Sequence, residues 1–395
     1  MDILTKKRAV ILAVISTFTA TVFLCVGLLN VFPRTREEQI LQIIKNKYAG
    51  EVDEDEVLNY SAMAMLAALD DPYSVFLSAE DYTGLMESIE GEYSGVGIEV
   101  NIDPEDSRIT VLAVFEGSPG DLAGIAAGDK LIKVDEMEVG AENYVDAIRY
   151  MRGMSEEGAE NPEMDITVYR PSGDEYITMN ITRSKVKMET VKHADYGDAF
   201  YIRITGFDTP TAADFREAMA HIDQERAKGI IIDVRDNPGG TLRSVVEIAD
   251  ILMGEGNIVY TEDKNGKRNY YNSGKSSVQL PIVVLVNENS ASASEILAGA
   301  IKDSGTGVLV GGTTFGKGSV QEIIPLRGEG ALKITTSHYF TPSGVSINKI
   351  GIQPDYKVNL SPEASEKSLR VLTEDEDAQL QKALELVRAG LIFRQ

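Results

Sequence analysis

Residues 281–304 read PIVVLVNENSASASEILAGAIKDS. The apolar run ending at Val286 has the continuous texture of a strand buried on both faces, and the small polar residues after it lead into a helix. Residues 229–252, GIIIDVRDNPGGTLRSVVEIADIL, repeat that order with a glycine turn where the first stretch has serines. Strand, tight turn and helix in alternation predict an α/β core over residues 185–360.

Upstream, residues 91–184 change texture to short β-type runs such as GVGIEV, RITVLAVF and EYITMNITR, separated by Gly, Pro and Asp turns. Two helical patterns interrupt them, GDLAGIAAG and AENYVDAIRYMRG, the second with Val145, Ile148 and Met151 expected on one face. Together they predict one compact domain. Residues 33–90 are rich in helix formers, with Ile40, Ile43, Ile44 and Tyr48 near helical spacing. Residues 361–395 end in a last helix carrying Leu380, Ala383, Leu384 and Val387 as an apolar stripe.

The N-terminus carries a different signal. Residues 9–32 are 24 positions without a charge, preceded by Lys6, Lys7 and Arg8. As a helix rising ~1.5 Å per residue this run spans a ~30 Å hydrocarbon core. It exceeds the roughly 7–15 apolar residues of a signal peptide and has no clear A-x-A site, so it reads as an uncleaved signal anchor. Basic residues ahead of it place residues 1–8 in the cytoplasm and everything after Pro33 outside the plasma membrane. A cleaved signal peptide is the rival reading and leads to the same exported location.

An excess of 62 acidic over 38 basic residues gives a net charge of −24, which repels phosphate backbones and argues against nucleic acid as a partner. The one cysteine, Cys25, lies inside the apolar run, so disulfides and paired-cysteine metal sites are excluded from the folded part. His193, His221 and His338 are too few and scattered for a ligand cluster, and no metal or organic cofactor is expected.

A serine placed between a buried strand and a helix sits where unpaired N–H groups and the helix dipole stabilise an alkoxide or a tetrahedral oxyanion. The plain alternative is that Ser290, Ser292 or Ser294 caps the helix, helped by Glu295. A nucleophilic serine needs a base, and no histidine here has an acidic partner in motif context. Lysine serves instead when its surroundings let it shed its proton. Lys317, in VLVGGTTFGKGSVQEI, is the candidate, against the alternative of an exposed loop lysine. The same stretch nearly matches a P-loop from Gly311 but has Gly318 where Ser or Thr is required, and a strand follows where a helix should. Gly239 and Gly240 add a turn of bare backbone N–H groups that could receive a carbonyl oxygen.

Six segments in this order, LDDPYSVFLS, GSPGDLAGIAAGDKLIKVD, DVRDNPGG, NENSASASEILAGAIKD, GGTTFGKGSVQ and HYFTPSGVSINKIGIQPD, resemble the carboxy-terminal processing peptidases, or tail-specific proteases. The resemblance runs from about residue 36 to the tail. It implies an α/β multidomain protein in which a PDZ domain precedes a crotonase/ClpP-like Ser/Lys serine peptidase core. It implies Ser292 as nucleophile and, 25 residues later, Lys317 as general base, with Gln321 orienting the lysine. Ala293 and either Gly239 or Gly240 would form the oxyanion hole. His338 and Val345 depart from residues frequent in the family, away from the dyad.

By the same resemblance, Gly95, Val96, Gly97 and Ile98 form the carboxylate-binding loop of the PDZ domain, where a C-terminal tail adds as a strand. The expected partners are C-terminal tails of exported or membrane proteins, and the expected assembly is a homo-oligomer, at least a dimer. The implied activity is that of a membrane-anchored serine endopeptidase. Two alternatives stay open: a catalytically silent PDZ scaffold, and a peptidase that PDZ engagement switches on.

Overall fold

The computed structural model describes residues 35–390 apart from 104–105, 155–161, 224, 276–277, 328–329 and 370. The anchor expected at residues 9–32 lies outside the described residues. Among the described residues no helix is long and apolar enough to cross a membrane. The chain divides into two compact units, Met1–Pro72 and Tyr73–Gln395.

In the first unit, helix Arg36–Lys47 opens with a capping box between Thr35 and Glu38, and helix Glu54–Ala67 is capped by Asp53. The apolar positions of the first helix that share helical spacing stay outside any core, Ile40 and Ile43 being about half exposed at 50% and 54%.

The remaining strands and helices belong to the second unit. Strands Ile98–Ile102, Ile109–Val114, Lys130–Val134, Glu163–Arg170 and Glu175–Thr182 form one antiparallel sheet in that order. Alternation along Glu163–Arg170 turns Met164, Ile166 and Val168 inward onto Ile109 and Leu131, which are fully buried. Helices Pro119–Ala123 and Tyr144–Arg152 occupy the two places read from the sequence. The face of the second differs from that reading: Val145 is exposed, and Ala147 and Met151 are its buried residues.

Downstream lies a six-stranded sheet ordered Val191–Asp195, Ala199–Ile204, Gly229–Asp233, Ile282–Val286, Gly307–Gly311 and Tyr356–Lys357. Every pairing is parallel except the first. Both faces are covered, which accounts for the unbroken apolar runs. Ile230, Ile232 and Val284 pack against helices Leu242–Leu252 and Ala293–Ser304, while Ile231, Val283 and Leu285 pack against the last helix, Ala378–Arg388.

A second, antiparallel sheet lies outside the α/β alternation expected for this region. It joins Val75–Leu77, Gly256–Asp263, Arg268–Ser273, Ser319–Pro325 and Ala331–Phe340. Its central strand, Ala331–Phe340, ends on Tyr339 and Phe340 beside the glycine-rich loop that carries Lys317, where Tyr339 N–H donates to Gly318 O at 3.0 Å.

Candidate active site

Three serines lie within five residues at the end of strand Ile282–Val286, and their environments separate them. Ser290 is buried, its hydroxyl donating to Val234 O at 2.8 Å and accepting from Asn287 N–H at 3.0 Å. Ser294 is also buried and donates to Asn237 O at 2.9 Å. Both knit the serine turn to the neighbouring strand end. Ser292 stands between them at φ 53° and ψ −113°, a left-handed conformation that costs a non-glycine residue strain of order 1–3 kcal/mol. Its hydroxyl makes no helix-capping bond, so it is not engaged in the plain structural role considered above.

The glycine turn of residues 238–241 presses against this elbow. A Cβ on Gly239 would lie 2.8 Å from both Ser292 Cβ and Ala291 O, and one on Gly240 would lie 2.4 Å from Phe207 O. Only glycine fits either place, and both have positive φ. Asn237 locks the turn: its Oδ1 accepts Gly239 N–H at 2.8 Å and its Nδ2 donates to Ile204 O at 2.8 Å. The N–H of Gly239 is therefore occupied, whereas those of Gly240 and Ala293 have no protein acceptor among the described residues.

Glu295, on the first turn of helix Ala293–Ser304, is fully buried. Its Oε2 accepts the N–H of Ser292 at 3.1 Å and that of Lys317 at 2.8 Å; its Oε1 accepts Thr314 Oγ1 at 2.6 Å and Gly316 N–H at 2.7 Å. Burial pushes this carboxyl above its ordinary value, and those donors pull the other way. One side chain thus fixes the serine elbow and the lysine loop relative to each other.

Ser292, Lys317, Gln321, Gly239, Gly240 and Ala293 all line one cavity of about 630 Å³. Lys317 Nζ lies over the Tyr73 ring, 4.8 Å from its centroid. Gln321 donates through Nε2 to Ser319 Oγ at 2.9 Å and Thr335 Oγ1 at 3.2 Å, which leaves its Oε1 as the group able to accept from an ammonium. None of the histidines lines the cavity; His193 and His221 instead stack on each other with centroids 4.9 Å apart.

The other end of the cavity is lined by Glu99 and Phe115 of the first antiparallel sheet. Just before Glu99, Gly95, Val96 and Gly97 are buried and Ile98 opens the edge strand. The carbonyls of this loop are tied down, Val96 O to Gly120 N–H at 2.7 Å and Gly97 O to Phe115 N–H at 2.9 Å. The N–H groups of Val96 and Gly97 take no protein acceptor among the described residues.

Glu295, Tyr73 and Tyr339 are the site residues that sequence reasoning did not assign. Glu295 did carry a signal, its place three residues after Ser292 in an S-x-x-E box, but that pattern points equally to a plain cap.

A model of peptidase family S41 matches residues 198–358, one of the activating protease CtpB N-terminal domain matches 34–81, and one of the PDZ domain matches 110–158. The carboxy-terminal-processing protease of Bartonella bacilliformis is 35% identical over 81% of this chain and 73% of its own. The carboxy-terminal processing protease CtpB of Bacillus subtilis is 31% identical over 90% and 75%. Among solved structures, the photosystem II D1 C-terminal processing protease is 31% identical, covering 84% of this chain and 90% of that one at a TM-score of 0.51. With the serine elbow, the lysine loop and the PDZ sheet in one unit, these likenesses establish that the chain belongs to the carboxy-terminal processing protease family of serine-type peptidases.

Proposed function

We propose that this chain is a membrane-anchored endopeptidase acting outside the cytoplasm, which holds C-terminal tails in its PDZ domain and cleaves them through a Ser292/Lys317 dyad. The observation that carries the reading is the Glu295 carboxylate, whose Oε2 accepts the N–H groups of both Ser292 and Lys317. In this reading Lys317 Nζ takes the Ser292 proton as Oγ bonds to the scissile carbonyl carbon, and returns it to the leaving amine. Gln321 Oε1 orients the amine, and the oxyanion is received by the N–H groups of Ala293 and Gly240 rather than that of Gly239. Water, deprotonated by Lys317, then releases the acyl group.

The cavity that reaches from Ser292 to Glu99 and Phe115 supports delivery of a tail from the PDZ groove to the dyad. Among the described residues the edge strand Ile98–Ile102 is paired on one side only, which suits addition of a peptide strand. The anchor at residues 9–32 and a homodimeric assembly complete the proposal; protease shaving of intact cells and sedimentation of the detergent-solubilised chain test them.

The test of the dyad is cleavage of an unfolded protein with an apolar C-terminus. Ser292→Ala and Lys317→Ala are each expected to abolish cleavage while the tail still binds. Full activity in either variant would refute the assignment.

A further inference from the structure

Tyr339 stands against the nucleophile with nothing else to do. It is 2% exposed, and its hydroxyl is one of the few buried side-chain groups without a hydrogen-bond partner among the described residues. A buried, unsatisfied hydroxyl destabilises a fold and calls for an explanation. The ring enters the same cavity as Ser292 and Lys317, and its hydroxyl lies beside the Ser292 side chain but outside hydrogen-bonding geometry. The backbone around it is rigid: Tyr339 N–H is held by Gly318 O, directly after Lys317, and Tyr339 pairs in register with Thr261.

We propose that Tyr339 is the hydrogen-bond donor to Ser292 Oγ, engaged when that oxygen carries charge. The inference rests on the assignment of Ser292 as nucleophile. Its chemistry is that of a donor which keeps its proton. In acylation the Oγ proton passes to Lys317 Nζ, the Oγ–C bond forms and the carbonyl π electrons move to the oxyanion. In deacylation the second tetrahedral adduct collapses, the C–Oγ bond breaks with its electron pair going to Oγ, and Lys317 returns a proton there. At both moments a phenol O–H aimed at Oγ stabilises the developing alkoxide. Burial, with the Glu295 carboxylate nearby, holds the Tyr339 hydroxyl well above the usual tyrosine range, so it remains protonated and can only assist as a donor. The second consequence concerns direction: with one lone pair of Oγ engaged by Tyr339, the serine proton points toward the amine.

The test is Tyr339→Phe in the full-length enzyme, assayed with a p-nitrophenyl ester for the acylation burst and the deacylation rate. The expected result is a loss of roughly 10²-fold in the deacylation rate, the scale for removing one transition-state donor, with a burst of full amplitude that forms more slowly. Because the hydroxyl has no partner in the resting structure, the variant is expected to melt at or above the wild-type temperature. Burst and turnover within twofold of wild type would overturn the proposal. So would a lowered melting temperature that accounts for the loss, because the hydroxyl would then be structural. Failure of the underlying assignment is read separately, as ester turnover surviving in Ser292→Ala.

Discussion

Lys317 hangs by its backbone from the carboxylate of Glu295, N–H to Oε2 at 2.8 Å across 22 residues of sequence. The same oxygen holds Ser292 N–H at 3.1 Å, so the separation of Ser292 and Lys317 depends on a carboxyl acceptor buried between them. Glu295→Gln keeps the volume but replaces one acceptor oxygen with a donor nitrogen, which must then face N–H groups. Each buried group so left unsatisfied costs about 1–3 kcal/mol. The variant is expected to lose at least ~10²-fold in kcat/KM with a lowered Tm, the loss in kcat exceeding that in KM, since misplacement affects the reaction more than binding. Unchanged kcat would show that the bridge is not needed for catalysis.

The three serines of the elbow should part company under alanine substitution. Ser292→Ala removes a hydroxyl with no capping bond and is expected to abolish peptide hydrolysis while leaving Tm unchanged or higher. Ser290→Ala and Ser294→Ala each remove a buried hydrogen bond, to Val234 O and Asn237 O, and are expected to lower stability by about 1–3 kcal/mol with substantial activity retained. Urea melts set beside turnover decide the matter. A stability loss confined to Ser292→Ala would reverse the roles.

Much of this arrangement was legible in the chain because its signals are local. The runs ending at Asp233 and Val286 announce buried strands by unbroken apolar texture, and the turns after them announce helices by small polar residues and glycine. What stayed hidden depends on pairing between distant segments. Glu295 reads as a cap because its other partners, Thr314, Gly316 and Lys317, lie 19 to 22 residues away. Tyr73 and Tyr339 reach the site through an antiparallel sheet whose strands come from both ends of the second unit, a register no local pattern specifies. Val145 misled because its spacing to Ile148 and Met151 fits a stripe, while the residue facing the core is the small Ala147.

Asp208 makes the cavity pH-sensitive. Half-buried beside the glycine turn, its carboxyl is pushed by burial from its ordinary 3.8 up to about 6. The folded chain therefore holds a proton there that the unfolded chain releases. The contribution to stability is fully present below pH 3.8 and is lost as pH rises through about 6. Asp208→Asn cannot ionise and is expected to match wild type at the acid end and to exceed it in Tm above pH about 6. Melting curves of both proteins across that window are the measurement; a difference independent of pH would mean that Asp208 does not titrate there.

The glycine turn has a second dependence, on the end of the chain. Arg235, two residues before Asn237, is 2% exposed and donates to Asp377 through Nη1 at 2.9 Å and Nη2 at 2.8 Å, while its Nε and Nη2 bond Asp233. Asp377 is also the N-cap of the last helix, accepting Leu380 N–H at 3.0 Å. One carboxylate thus orders the start of that helix and neutralises an arginine at the head of the turn. Removing it leaves Asp233 as the counter-ion but takes the acceptors of one Nη1 and one Nη2 N–H, and each buried donor so left unsatisfied costs about 1–3 kcal/mol. Asp377→Ala is expected to show that loss in urea unfolding and to expose the helix bearing Leu380, Leu384 and Val387 to limited proteolysis. Catalysis should weaken as well, because the strand end carrying Arg235 leads into Asn237 and Gly239, which press against the Ser292 elbow. Triple substitution of Asp233, Arg235 and Asp377 by apolar residues of similar volume should recover much of the stability, since the buried ionic cluster is then removed as a whole. Its failure to do so would mean that the helix cap, rather than the ion pair, is what Asp377 supplies.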